Sequence, residues 1–141
     1  MNKDLSGKTL GIIHASHITI EAMRPYIQEY IPEVSIMHLC DDTIQRDNIA
    51  AGAGVIPKRN YYKFAQYAHN LEEAGGEMIF FACSSFYFSA GLGRPQIDKP
   101  ISPIYRPVMG KTGQTGKEIG LLGTFATTVP SSRELIQNSA P

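Results

Sequence analysis

The sequence predicts an α/β protein, a parallel sheet with helices on both faces. Two features lead to that class. Short β-branched or aromatic runs alternate with helical stretches along all 141 residues, the pattern of βαβ units. One run, Met78 to Ala82, is apolar at every position, as a strand buried on both faces requires. A further feature shapes the organisation. A strand-turn-helix unit occurs twice: Lys8 to Gln28 aligns without gaps on Lys117 to Gln137 at an offset of 109, with six of 21 pairs identical. Matched Gly11/Gly120, Thr19/Thr128 and Arg24/Arg133 are not demanded by periodicity, so the similarity reads as an internal repeat.

In order, Thr9 to His14 is predicted as a buried strand. Thr19 to Tyr30 is predicted as a helix, because Ile20, Met23, Ile27 and Ile31 recur at spacings of three and four. Val34 to Leu39 is the second strand. Lys58 to Ala74 is the longest helix, with Tyr61, Phe64, Ala65, Ala68 and Leu71 as its apolar stripe and Gly75-Gly76 as its stop. Met78 to Ala82 is the third strand. Ile101 to Tyr105 is the fourth, fenced by Pro100 and Pro107, and Ile119 to Leu122 is the fifth. Gly110, Gly113 and Gly116 fall within seven residues, and each glycine costs a helix roughly 1 kcal/mol against alanine. That stretch is therefore expected to be a flexible hinge. The division expected is 1–108 as a first lobe, 109–118 as the hinge, and 119–141 as the opening strand and helix of a second lobe.

Bulk properties narrow the function. Thirteen basic and thirteen acidic residues cancel with no run of like charge, so neither nucleic acid nor a membrane surface is an expected partner. No apolar run approaches the ~18 residues of a spanning helix, and the N-terminus does not read as a leader. A soluble cytoplasmic protein is expected. Cys40 and Cys83 offer no metal-ligand spacing and no disulfide framework, and His14 and His17 lack a third ligand, so no metal site is predicted. Gly110 to Lys117 imitates a phosphate loop. It has five residues between Gly110 and Gly116 where that motif needs four, and Glu118 follows Lys117 where Ser or Thr is required.

In a parallel sheet, chemistry belongs at the carboxyl ends of the strands. Those positions carry His14-Ala15-Ser16-His17, Asp41-Asp42-Thr43, Cys83-Ser84-Ser85, and Thr124 with Thr127-Thr128. Hydroxyl-rich loops of this kind can hold a small anion through hydroxyls and helix-start amides. Cys83 is the candidate nucleophile or base, because hydroxyls and a helix start following a thiol favour its thiolate. Cys40 reads as a structural residue of an apolar strand. Asp41 and Asp42 are secondary candidates for substrate contact or thiol orientation, set against an ordinary helix-capping role.

The ACSSF segment, the acidic pair after the second strand and the GTFATT segment resemble the aspartate/glutamate/hydantoin racemase superfamily, and the likeness runs through nearly the whole chain. The resemblance implies two flavodoxin-like lobes with the site between them, no cofactor, and one cysteine from each lobe on opposite sides of the substrate. It makes Cys83 catalytic, and Ser16, Thr19, Ser84, Ser85, Thr124, Thr127 and Thr128 the cradle of a small carboxylate such as an amino acid or a hydantoin-type derivative. The resemblance covers one lobe and the start of the second, so the expectation includes a truncated form of that arrangement. The function expected is a cofactor-independent racemase or isomerase acting through a cysteine thiolate. Its alternative is a non-catalytic carboxylate-binding or interaction domain that has lost the second cysteine. An unpartnered strand and helix after the hinge also lead to an expected homodimer, formed by exchange of the C-terminal segment.

Overall fold

The computed structural model describes residues 4–52, 55–84, 91, 94–115, 118–126 and 128–139. Its centre is a four-stranded parallel sheet of β1 (Thr9–His14), β2 (Ser35–Cys40), β3 (Met78–Phe81) and β4 (Ile101–Pro103), in the order β2-β1-β3-β4. That order and the helices around it make the fold flavodoxin-like. The helices are α1 (Ile18–Tyr30), α2 (Asp42–Ala50), α3 (Lys58–Glu73), α4 (Arg106–Thr115) and α5 (Thr128–Gln137), with a 3-10 turn at Arg94–Gln96.

The core lies between the sheet and α3. Ile13, Ile79 and Phe81 meet Phe64, Ala68 and Leu71, with Ile44 of α2 completing the cluster. Phe64 and Phe81 pack edge to face with ring centroids 5.4 Å apart, a favoured aromatic geometry. The apolar stripe of α3 thus lands where its spacing directs it. Past its end, Gly75 takes φ +99°, and the Gly76 N–H reaches back to the Leu71 carbonyl at 2.8 Å. This is the left-handed close of a helix that glycine alone adopts freely. At the carboxyl edge, Asp41, Ala82 and Ile104 donate their N–H groups to the carbonyls of His14, Ile13 and Phe81. Those bonds pin three loop origins side by side.

Two expectations about the C-terminal region require correction. The Gly110 to Gly116 stretch is not a hinge among the described residues; α4 runs through it from Arg106 to Thr115. Glycine lowers helix propensity without forbidding a helix, and α4 packs against α5 with Gly113 buried. Ile119 to Leu122 is not a fifth strand. These residues join no ladder, and Leu122 is 99% exposed. A short apolar run specifies a strand only where a neighbour is present to complete its hydrogen bonds.

Candidate functional site

A cleft of about 560 Å³ opens at the carboxyl edge of the sheet, within the range of small-molecule sites. Its walls come from both copies of the repeat. Ser16 and Thr19 follow β1, Cys83 and Ser84 follow β3, and Thr124 and Thr128 lead into α5. Six of the polar positions singled out in the sequence therefore share one cavity. Ser85 and Thr127 lie outside the described residues.

The two turns that enter the cleft are built alike. Thr19 Oγ1 donates to the Ser16 carbonyl at 2.7 Å, and Thr128 Oγ1 donates to the Phe125 carbonyl at 2.8 Å. The backbone N–H of each threonine goes to the same carbonyl, at 3.3 and 3.1 Å. All four residues obey the offset of 109. The repeat is thus visible as geometry at the start of each helix, although its strand half is absent from the second copy.

Hydrogen-bond polarity follows from these contacts. A carbonyl only accepts, so the hydroxyl protons of Thr19 and Thr128 are committed to the backbone and their remaining lone pairs are available to a donor. Thr19 Oγ1 lies 2.7 Å from His14 Nδ1 and must accept from it. His14 then carries its proton on Nδ1, so Nε2 accepts from His38 Nδ1 at 2.9 Å. His14 is fully buried, and burial, with His38 beside it, lowers its pKa to about 4. It is neutral at pH 7. By contrast, the hydroxyls of Ser16, Ser84 and Thr124 donate to no described residue. They are available to an anion. The cleft therefore presents hydroxyl donors and hydroxyl lone pairs together.

Cys83 is half-buried and packs against the main core cluster. The helix expected after Ser84-Ser85 falls on residues outside those described. Cys40, expected inside a strand, instead ends the edge strand β2 and is exposed. Partial desolvation of the thiol, then Asp42 and Asp41, push it up to about 11, which suppresses the thiolate. Cys40 does not line the cleft.

Neither aspartate lines the cleft. Asp41 caps α2, accepting from the Thr43 N–H at 2.9 Å, from the Thr43 hydroxyl, from Tyr67 Oη at 2.7 Å, and pairing with Lys63 at 3.2 Å. Burial raises its pKa, but these bonds outweigh it and hold the carboxyl at about 2. Asp42 accepts from the His17 N–H at 2.9 Å and meets its ring at 3.2 Å. These contacts make the acidic pair an ordering element of the loop.

Three polar lining residues were not legible from the strand ends used. Tyr105 follows β4, and the same carboxyl-edge rule applied to the fourth strand finds it. Ser132 sits one turn beyond Thr128 on α5, and Gln45 lies on α2. Cys83 and Tyr105 are the two ionisable side chains among the described lining residues. A scan against protein-family models and a search of curated proteins found no match to the chain.

Proposed function

We propose that the protein is a cofactor-independent isomerase of the racemase type, working in the cytoplasm on a small carboxylate that also carries an N–H group, an amino acid or a cyclic amino-acid derivative. One observation carries the reading: a cysteine at the carboxyl edge shares its cleft with both kinds of hydroxyl. Ser16, Ser84 and Thr124 donate to the carboxylate, while Thr19 and Thr128 accept from the ammonium or ring N–H. Cys83, as thiolate, removes the α-proton and becomes the thiol. The carbanion's charge spreads into the hydrogen-bonded carboxylate. Because Cys40 lies outside the cleft, Tyr105 is the proposed source of the returning proton; its phenolate then recovers a proton from water, and the Cys83 thiol gives its proton to the hydroxide so formed, which restores the thiolate.

Solvent-deuterium exchange at the α-carbon, followed by NMR for aspartate, glutamate, alanine and a 5-substituted hydantoin, tests this proposal. Exchange lost in Cys83→Ser, and exchange without inversion in Tyr105→Phe, is the expected result. Binding without exchange in the wild-type protein would refute the isomerase and leave the non-catalytic carboxylate-binding domain.

A homodimer is the proposed assembly. Ile18, Leu122 and Phe125, all exposed, rim the cleft, and a second copy would cover that apolar surface. With α4 helical through the former hinge, rim-to-rim docking replaces segment exchange as the geometry. Sedimentation of wild type against Leu122→Glu decides it: a dimer that the substitution dissociates is expected, and a wild-type monomer at micromolar concentration excludes it.

A further inference from the structure

The cleft of about 560 Å³ changes character across the sheet. In the strand order β2-β1-β3-β4, β3 lies between β1 and β4, about 4.8 Å from each. Ser16 and Thr19 follow β1, Cys83 and Ser84 follow β3, and Ile104, Tyr105 and Met109 follow β4. The thiol therefore has hydroxyls on its β1 flank and, apart from the Tyr105 Oη, apolar side chains on its β4 flank. Leu121 brings a further apolar side chain to the lining, and Ile104, Met109 and Leu121 are all half-buried. A carboxylate held by Ser16 and Ser84, with its α-carbon at Cys83, sends its substituent toward that flank.

Charge separates the candidate substituents more sharply than shape does. Among the described residues, no lysine, arginine or histidine lines the cleft. The stretches that adjoin the lining outside them, Ser85 to Ala90, Leu92-Gly93 and Thr127, hold none either. His17 and Arg106, next in sequence to Ser16 and Tyr105, are exposed, and His17 meets Asp42. One carboxylate can be satisfied by hydroxyl protons. A second would lose hydration without a counter-charge, and it would share the cleft with the Cys83 thiolate, a like charge. An apolar substituent has neither cost and gains by leaving water.

We infer that the cleft selects a monocarboxylate with an apolar substituent at the α-carbon, seated against Ile104, Met109 and Leu121, and discriminates against dicarboxylates. This selectivity presupposes that the hydroxyl side of the cleft holds a carboxylate, as in the proposed function, and is independent of whether the α-proton is then exchanged. Met109 is the residue on which selection turns. It reaches the cleft from α4 at a half-buried position outside the core cluster, so it can be changed without opening the core.

Backbone amide signals of the cleft in ¹⁵N-labelled full-length protein, titrated with alanine, norvaline, methionine and glutamate, measure it. A parallel pair, 5-propylhydantoin and 5-(2-carboxyethyl)hydantoin, covers the cyclic derivatives. Norvaline is expected to bind about tenfold tighter than alanine, the effect of burying most of two methylenes. Methionine should bind at least about tenfold tighter than glutamate, and the propyl hydantoin tighter than its carboxyethyl counterpart. In Met109→Lys, glutamate should gain and methionine should lose, each by about tenfold. Glutamate binding as tightly as methionine to the wild type overturns the selectivity, and that reading stands even if Met109→Lys fails to fold. Ligands that shift no cleft signal at all remove the carboxylate site and the selectivity with it. Ranked binding without α-proton exchange removes the isomerase and keeps the selectivity, so the two fail separately.

Discussion

Alanine at the two matched glycines of the repeat should have opposite effects on stability. Gly11 is buried in β1, and a Cβ added there would lie 3.0 Å from both Cβ and Cδ1 of Leu71 and 3.2 Å from Ile79 Cδ1. The Leu71 Cδ1 contact can relax by rotation, but Leu71 Cβ is fixed to the α3 backbone, so the helix itself must move by a few tenths of an ångström. Overpacking of this kind costs about 1–3 kcal/mol, and the smaller unfolded-state entropy of alanine returns about 0.4–1 kcal/mol. The net is a loss of roughly 1–2 kcal/mol, a fall in Tm of about 3–8 °C for a chain this size. Gly120, at the same place in the second copy, would meet nothing within 4 Å and does not have positive φ. There only the entropic gain operates, so Gly120→Ala should leave Tm unchanged or raise it by about 1–4 °C. Thermal unfolding of the two single variants by circular dichroism, checked by urea midpoints, measures both. A neutral Gly11→Ala, or a Gly120→Ala as damaging as Gly11→Ala, would refute the claim that α3 closes on the first copy while the second is uncovered.

Three further outcomes are expected. Although Cys40 is the more exposed thiol, its pKa near 11 should make it alkylate slowly at neutral pH, with Asp42→Asn speeding it; mass-resolved labelling across pH that finds Cys40 faster than Cys83 would contradict this ordering. The carboxyl of Asp41, held at about 2, stabilises the fold fully above its unfolded pKa of about 3.9, and that contribution is lost as pH falls from there through about 2. Asp41→Ala should remove it along with an N-cap of about 0.5–2 kcal/mol, so urea unfolding should show a flatter acid limb for the variant, and an unchanged limb would rule the linkage out. His14 titrates at about 4 when folded and at about 6.5 when unfolded. Its lowered pKa makes the unfolded chain bind the proton first, so its contribution is present above about 6.5 and declines as pH falls to about 4; imidazole NMR showing His14 protonated on Nε2 at pH 7, or titrating near 6.5, would break the His38–His14–Thr19 chain.

Periodicity and punctuation were sufficient for the first lobe. The α3 stripe, its glycine stop and the three strands β1, β2 and β3 were readable within a residue or so at their boundaries, because burial on a repeating face leaves a local record in the residue pattern. The carboxyl-edge rule likewise named five polar positions that line one cleft, Ser16, Cys83, Ser84, Thr124 and Thr128, and the repeat that pairs Thr19 with Thr128 points to a sixth. The helix α2 was not read: its pattern is polar apart from Ile44, Ile49 and Ala50, and only the Asp41 cap announced it.

What the sequence determined by itself was the class of fold, the repeat and the neighbourhood of Cys83, all of which rest on spacing along the chain. Tertiary structure decided whether Ile119 to Leu122 found a strand partner, whether the glycine-containing segment of α4 formed a helix against α5, and which hydroxyls had protons to give. Each of these depends on atoms distant in sequence. A glycine is an open position, as at Gly120, or a close contact, as at Gly11, according to what stands opposite it, and a threonine is donor or acceptor according to which carbonyl its proton meets.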